Sequence, residues 1–361
     1  MPDAPCSALI LAAGRTDRMH SARSQPLHLL CGRPMVQYVV DALGSLNLDR
    51  IVMVVDDDGE QISKKMIETA ADPRLVFTEA PSGCGSAQYA LSGLGPFADD
   101  FGDEDLVIVA ANTPLLTRST METFVAFHQA SGAAGAVLAV PAHRDDSFGR
   151  IVAGKDPGTV QRVVTAVNRG DEPGLAAAGP ICIRRSLLAP AIRRIRPDEL
   201  TGLFDLSAVV EVLTTAGHQI SSVELESAAD VQPIDDRAQL AAAEAVIRDR
   251  TNLAWMRRGV TMVDPARTYV DATVRLAPDV TLFPGTMLQG TTVVGPGAEI
   301  GPDTRLADCA VGSGARVEKT MGRDAEVGEG AHVGPFAVLD AGAHVGAGAV
   351  TGPFYHATAS D

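Results

Sequence analysis

The C-terminal third of the chain repeats an aliphatic residue every six positions, and this period restricts the fold more than any other feature. The repeating residues are Val270, Leu276, Leu282, Leu288, Val294, Ile300 and Leu306, followed after two shorter steps by Val311, Val317, Met321, Val327, Val333, Leu339 and Val345. Small residues such as Thr286 and Ala298 usually stand two positions before the next aliphatic one. An irregular glycine-rich region would not keep its phase over about fourteen units. The period therefore predicts a parallel β-helix with roughly three hexapeptides per coil, which we place at residues 260–361.

A long helical pattern precedes the repeats. Leu240, Ala243 and Ile247 follow helical spacing, arginines occupy the last turn, and Gly259 is suited to end the helix. We therefore predict a connecting helix over residues 236–259.

Residues 1–235 alternate short apolar runs with helical patterns. The predicted strands are Ala8–Ala12, Arg50–Val55, Leu75–Thr78, Leu106–Ala111 and Ala136–Val140. The predicted helices are Pro34–Leu43, Gln61–Ala71, Ser86–Leu94, Ser119–Ser131 and Leu206–Ala216. This alternation is typical of a Rossmann-like α/β domain, a doubly wound and mostly parallel sheet that binds ligands at the carboxyl ends of its strands.

Composition excludes several classes of partner. A formal net charge of −15 disfavours nucleic acid, which binds to basic surfaces. The longest apolar runs are far shorter than a membrane span and no signal-peptide pattern is present, so we expect no membrane association and a cytoplasmic location. The five cysteines are scattered without metal-ligand spacing, which indicates buried or inert thiols in a reducing compartment.

The stretch from Ser7 to Gln25 and the segment after it predict a strand, a loop of small residues and a helix. This layout points backbone N–H groups at a phosphate. The sequence LAAGRTDRM, followed by RSQPLHLLCGRPMVQYVVDAL, resembles the signature of sugar-nucleotide pyrophosphorylases. It is most similar to that of the bifunctional N-acetylglucosamine-1-phosphate uridylyltransferase / glucosamine-1-phosphate acetyltransferase (GlmU) family.

The resemblance covers nearly the whole chain, including the repeats, and its implications are expectations here. It implies an α/β nucleotidyltransferase domain followed by a left-handed parallel β-helix. It also implies a ligand of the UTP or UDP-N-acetylglucosamine type and Mg²⁺ as cofactor. The β-helix would form a homotrimer, or a mixed oligomer with an active paralogue.

The first loop carries the catalytic positions of the resemblance, where the family has L-A-A-G-x-G-T-R-M and then P-K-x-L-H. The matching residues are Ala12, Ala13 and Gly14 for nucleotide binding and Arg18 for catalysis. Thr16-Asp17 replaces Gly-Thr, and Gln25 stands at the position of the catalytic lysine. A neutral amide cannot offset phosphate charge, and losing a charge-assisted hydrogen bond costs roughly 1.5–3 kcal/mol. Asp17 either faces the phosphates and repels them or points to solvent as a turn residue.

A second glycine-rich loop corresponds to the family's uracil pocket. Gly83, Cys84 and Gly85 resemble the start of G-T-G-H-A, although paired glycines also occur in ordinary turns. Thr78 stands where the family has the glutamine that reads the uracil edge.

The metal positions of the resemblance are exchanged in type. Asn112 occupies the position of the Mg²⁺-binding aspartate and Asp235 that of the second ligand, an asparagine. Both residues supply oxygen and the total ligand charge is unchanged, so a Mg²⁺ site is retained in this interpretation. In the alternative interpretation, Asp235 is simply the N-cap of the following helix.

The sugar pocket of the resemblance has lost its polar side chains. SFGRI, residues 147–151, resembles G-Y-G-R-I and places Gly149 against the sugar. Ala111 replaces a glycine, Thr165 a glutamate and Ala178 an asparagine that contacts N-acetylglucosamine. A pocket without these partners should lose much of its specificity.

Two hypotheses about function follow. The departures in one cleft favour a truncated, degenerate and catalytically impaired uridylyltransferase homologue that acts by binding or scaffolding. The alternative is an active Mg²⁺-dependent sugar-1-phosphate nucleotidyltransferase with an altered substrate. We expect no acetyltransferase activity in either case, because Val338 and Asp340 replace two family arginines and the repeats end at Asp361 after fewer coils than in the family.

Overall fold

The computed structural model describes residues 5–14, 17–57, 59–70, 72–98, 103–142, 148–164, 174–199, 201–225 and 228–359. The chain divides into two compact units. The first contains Met1–His28 and Pro34–Leu240, and the second contains Leu29–Arg33 and Ala241–Asp361.

The first unit is built on a mixed nine-stranded sheet. Its strands are β1 (Cys6–Leu11), β2 (Ile51–Val55), β3 (Leu75–Glu79), β4 (Asp105–Ala110), β5 (Gly135–Pro141), β6 (Gly149–Ala153), β7 (Val160–Val164), β8 (Leu175–Arg184) and β9 (Ile220–Glu224). The order is β9-β5-β8-β4-β1-β2-β3, and β6 pairs with β8 and β7. Strands β4, β1, β2 and β3 run parallel, whereas β8 is antiparallel to both β4 and β5.

The first unit contains helices as well as the sheet, and the last helix begins in this unit and ends in the second. They are α1 (Met35–Leu43), α2 (Gly59–Ala70), α3 (Ser86–Ser92), α4 (Arg118–Ser131), α5 (Arg185–Ile192), α6 (Ala208–Thr215) and α7 (Arg237–Met256). Short 3₁₀ turns lie at Asp17–Met19, Gln25–Leu27, Gly95–Phe97, Ala228–Asp230 and Pro265–Arg267. In the described part of the chain, no helix is both long and apolar enough to cross a bilayer.

The predicted strands and helices of the first unit are confirmed to within two residues at each end. Strands β1, β2 and β4 are almost fully buried, as expected for continuous apolar runs in a parallel sheet. The sequence pattern missed β6, β7, β9 and α5, and it also missed β8. Gly179-Pro180 interrupts this strand, and its pairing with β5 shifts register between Ala177 and Ile181.

The second unit contains three parallel sheets of very short strands. The first has Thr261–Met262, Thr281–Leu282, Glu299–Ile300, Arg316–Val317 and His332–Val333. The second has Tyr269–Val270, Met287–Gln289, Arg305–Ala307, Met321–Arg323, Val338–Leu339 and His356–Ala357. The third has Arg275–Leu276, Val293–Val294, Ala310–Val311, Glu326–Val327 and His344–Val345. Successive strands along the chain belong to successive sheets, so the predicted parallel β-helix is confirmed.

One predicted repeat residue, Met321, is not the buried residue of its strand, so this prediction was wrong. Met321 is 59% exposed, and the buried residue of its strand is Gly322, which pairs with Leu306 on one side and Leu339 on the other. The chain reaches Gly322 from Val317 by a five-residue step, so the inward position falls one residue after the aliphatic side chain. The remaining repeat residues are buried.

Candidate functional site

The carboxyl ends of the central strands bring the loops of the candidate site together. Beyond β1, the Ala12 N–H donates to the Val54 carbonyl (2.8 Å), and beyond β4 the Ala111 N–H donates to the Leu11 carbonyl (3.0 Å). Because β1 lies between β2 and β4, the loop that begins at Ala12 is flanked by the loops that follow those two strands.

A carboxylate holds the first glycine loop. The Gly14 N–H donates to Asp56 Oδ2 at 2.7 Å, and Asp56 directly follows β2. Gly14 has φ of 102°, a backbone conformation that glycine adopts without strain. Arg15 and Thr16 lie outside the described residues.

The second glycine loop is fixed by Tyr89 and Phe204. The Gly83 N–H donates to the Tyr89 hydroxyl at 3.0 Å. A Cβ at Gly85 would lie 2.6 Å from the Phe204 carbonyl oxygen, so a larger residue does not fit there. Cys84 Sγ lies 2.9 Å from the Pro81 carbonyl, and burial is the main cause of the raised pKa of its thiol.

The two exchanged metal positions are in contact. Asn112 Nδ2 lies 2.9 Å from Asp235 Oδ1, and the Arg18 guanidinium lies 3.2 Å from Asp235 Oδ2. The Ile234 N–H donates to the Asn112 carbonyl at 2.8 Å, which holds the two segments side by side. A half-turn of the Asn112 amide would present its oxygen beside the carboxylate. An amide and a carboxylate oxygen suit Mg²⁺, which usually takes one or two carboxylates together with substrate phosphates.

The N-cap of α7 is Asp236 rather than Asp235. Asp236 Oδ1 accepts from the Gln239 N–H at 2.8 Å, and Gln239 Oε1 accepts in return from the Asp236 N–H at 3.2 Å and also from the Asp235 N–H at 2.7 Å. This reciprocal pairing is a capping box. The Asp235 carboxylate therefore faces Arg18 and Asn112 instead of capping the helix. The described residues contain no group of three His, Cys, Asp or Glu side chains that could hold a metal by themselves.

Gln25, at the lysine position of the resemblance, is used structurally. Its side-chain amide donates to the Ile234 carbonyl, next to Asp235. Nearby, Arg237 Nε donates to the Met19 carbonyl at 3.1 Å, and its Nη1 lies 3.4 Å from His28 Nδ1. Burial, and then the Arg237 charge, lowers the pKa of His28.

A cavity of about 460 Å³ opens beside these loops. It brings together Gly85, Asn112 and Gly149 from the predicted site. Ala178 and Ala111 are buried behind the surface, and Thr165 lies outside the described residues. The polar residues Asp198, Thr201, Asp205 and Ser207 also line the cavity. Sequence reasoning missed these four because no spacing rule connects their segment to the glycine loops.

Thr78 lies within β3, where it pairs with Val54 of β2. Among the described residues, no lysine or arginine lines the cavity. Arg18 is paired with Asp235, whose other carboxylate oxygen contacts the cavity-lining residue Asn112.

Known proteins match the chain along both units. A family model described as the MobA-like NTP transferase domain matches residues 8–212. The bifunctional protein GlmU of Streptomyces coelicolor is 36% identical over 360 residues, covering 99% of this chain and 74% of that protein. The chain belongs to the GlmU family. The GlmU of a Geobacillus species is 31% identical over 333 residues, a match that covers 91% of this chain and 71% of that protein.

A solved structure shares the fold. CMP:2-keto-3-deoxy-manno-octonic acid synthetase, complexed with CTP, superposes with a TM-score of 0.52 at 16% identity. The match covers 68% of this chain and all of that one. At this identity the likeness concerns the nucleotidyltransferase fold alone.

Proposed function

We propose that this GlmU-family protein binds a nucleoside triphosphate or nucleotide sugar in the cleft of its first unit and turns it over slowly or not at all. The observation that carries the proposal is the hydrogen bond from Gln25 to the Ile234 carbonyl. The side chain at the lysine position is neutral, and its donor is directed at the protein. A transition state for phosphoryl transfer is stabilised chiefly by positioned cations, so the site lacks one of its main contributors.

Binding is supported by the loops that surround the cleft. Gly14, Gly83 and Gly85 retain the positive φ values that allow backbone to approach a ligand closely. Arg18 contacts Asp235, which in turn contacts the cavity-lining residue Asn112, and it can exchange this carboxylate partner for a phosphate. We propose that residues 1–235 are the ligand-binding domain, joined by the helix at 236–259 to the β-helix at 260–361.

A second candidate function is an active Mg²⁺-dependent sugar-1-phosphate nucleotidyltransferase with an altered substrate. The contact between Asn112 and Asp235 favours it, because an exchanged amide and carboxylate keep one anionic charge at the metal position. When bound there, Mg²⁺ would neutralise charge on the phosphates. Arg18 would then be available to the nucleotide phosphates.

We further propose that this stretch of β-helix has no acetyltransferase activity and serves in assembly. At the two arginine positions of the resemblance, Val338 is exposed and the Asp340 carboxylate pairs with His356 at 2.8 Å. Neither residue attracts the phosphates of an acyl-CoA. Exposed apolar side chains on one sheet of the β-helix support a homotrimer, or a mixed oligomer with a paralogue.

The test combines binding with turnover on the full chain. Calorimetry with nucleoside triphosphates and UDP-N-acetylglucosamine, with Mg²⁺ present, should show binding. A pyrophosphate-release assay with N-acetylglucosamine 1-phosphate and other sugar phosphates should show little or no product. Turnover close to that of a GlmU from another organism would establish the second candidate, and the absence of all nucleotide binding would leave only a role in assembly.

The variant Gln25→Lys/Asn112→Asp is the matched gain-of-function experiment. It restores one cation and one anion, so the net charge of the cleft is unchanged. Regaining a charge-assisted contact should raise pyrophosphate release about tenfold or more over the wild-type chain. An unchanged rate in a folded, nucleotide-binding double variant would show that the missing lysine is not the main cause of impairment.

A further inference from the structure

A carboxylate lies between the first glycine loop, which the family resemblance assigns to nucleotide binding, and the second, which it assigns to the uracil pocket. Asp56 follows β2, and β2 is the strand between β1 and β3. The first loop, 12–14, follows β1, and the second loop, 81–85, follows β3. The topology therefore places Asp56 where the two loops face each other.

A hydrogen bond on one side and electrostatic effects on the other agree with this position. Asp56 Oδ2 accepts from the Gly14 N–H at 2.7 Å, on the side of the first loop. On the side of the second loop, its charge contributes to the raised pKa values of Cys84 and Tyr89, whose main cause is burial. A Cβ at Gly14 would lie 3.5 Å from the Tyr89 ring, and the Tyr89 hydroxyl accepts from the Gly83 N–H, so Tyr89 of α3 connects the two loops.

The Asp56 carboxylate can accept further hydrogen bonds. An ionised carboxylate has two oxygens with about four lone-pair sites and no donor. Asp56 is only half-buried, and within the described residues its Oδ1 has no hydrogen-bond partner. A ligand group that approaches between the loops therefore meets a pure acceptor.

This chemistry does not match uracil. The pairing edge of uracil has a single N–H between two carbonyl oxygens, and those oxygens are repelled by a carboxylate. Guanine presents a ring N–H and an amino group side by side, and one carboxylate can accept from both in a bidentate pair. Thr78, which replaces the glutamine of the uracil-reading family members, is too short to supply the amide donors and acceptors that uracil requires.

We infer that Asp56 is a base-reading residue and that the preferred ligand of this cleft is a guanine nucleotide. The inference rests on the proposed nucleotide binding and deepens it. Asp56 acts on the base, whereas Arg18 and the Asn112–Asp235 pair lie on the phosphate and metal side.

The test compares four nucleotides on the full chain. Calorimetric affinities for GTP, ATP, CTP and UTP, measured with Mg²⁺ at one salt concentration, should place GTP about tenfold or more ahead of UTP. This wild-type ranking needs no variant and does not depend on how well a mutant folds. A ranking headed by UTP, CTP or ATP would overturn the guanine assignment.

The variant Asp56→Asn separates base reading from loop support. It keeps the size of the side chain and replaces an acceptor by an amide, so GTP affinity should fall about tenfold while UTP affinity stays level or rises. The control Asp57→Asn removes the same charge from the exposed neighbouring residue and should leave both affinities unchanged. Equal losses for GTP and UTP would reduce Asp56 to a residue that positions the Gly14 loop. If no nucleotide binds the wild-type chain at all, the proposed function fails as well, which is a separate and recognisable result.

Discussion

At the scale of single residues, the two positions with exchanged residue types are in contact. Asn112 and Asp235 differ from the family's aspartate and asparagine, yet their side chains meet at 2.9 Å. Arg18 contacts the second oxygen of Asp235 at 3.2 Å and is largely exposed, so this ion pair is screened by solvent and readily broken. A divalent cation bound with phosphates would have to replace the Arg18 contact.

The substitution Asn112→Asp should strengthen divalent-cation binding. It puts two carboxylates side by side, which repel each other without a cation and both coordinate one that is bound. We expect Mn²⁺ affinity, measured by calorimetry in the presence of a nucleoside triphosphate, to rise about tenfold over the wild type. The control Asn112→Ala should weaken it. Equal Mn²⁺ affinities in all three proteins would exclude this pair as the metal position.

The sequence could predict only those residues of the candidate site that lie within recognisable motifs. Gly85 directly precedes α3, Asn112 lies two residues after β4 and Gly149 begins β6, and all three line the cavity. The sequence could not show that the Gln25 amide is directed at a backbone carbonyl, since this depends on a segment more than two hundred residues away. The role that we infer for Asp56 could not be predicted for a similar reason, because it requires knowing which strand lies between β1 and β3.

At the scale of elements, the β-helix tolerates a change of step without losing its stacking. Val317, Gly322 and Val327 are each buried although they are five residues apart instead of six. The sequence period predicts the β-helix well. It cannot identify the inward-facing residue of a strand when that residue is a glycine, such as Gly322. The antiparallel β8 escaped prediction because its alanine-rich first half and its Gly-Pro lack the pattern of a strand.

The substitution Gly322→Val should destabilise the β-helix. A Cβ at this position would lie 3.0 Å from Leu306 Cδ2 and 3.5 Å from Leu339 Cδ1, so a valine overfills the interior. We expect a loss of about 1–3 kcal/mol in the free energy of unfolding. Guanidinium unfolding followed by the fluorescence of Trp255, which packs against the β-helix core, measures it. The control Met321→Leu changes the exposed neighbour and should leave the free energy of unfolding nearly unchanged. A Gly322→Val protein as stable as the wild type would contradict the inward position of Gly322.

The turn that contains His28 should make the first unit sensitive to acid. Burial and the Arg237 charge lower the pKa of His28 from its ordinary value of 6.5. The unfolded chain therefore binds more protons than the folded one below about pH 6.5, and stability is lost as pH falls through the folded pKa. Urea unfolding from about pH 7.5 to 5 should show a steeper loss in the wild type than in His28→Asn. The exposed His20 supplies the control His20→Asn, whose pH dependence should match that of the wild type.

At the scale of the whole molecule, the charge and the surface of the β-helix bear on assembly. A chain with net charge −15 repels its copies unless a specific contact compensates. Tyr269, Met287, Met321 and Val338 are exposed and occupy outward positions on the same parallel sheet. Apolar side chains aligned along one face are typical of surfaces that associate.

The proposed trimer gives the last prediction. If the second sheet forms the interface, Met321→Glu places a buried charge at every contact, and the trimer should dissociate. Sedimentation velocity on the full chain should then give a trimer for the wild type and a monomer for the variant. Val293→Glu makes the same change at a 46% exposed valine on the third sheet and should remain trimeric. If the wild type is a monomer, the proposed trimer is wrong. If only Val293→Glu dissociates, the interface is formed by the third sheet instead of the second. Either result leaves the nucleotide-binding proposal for the first unit to its own test.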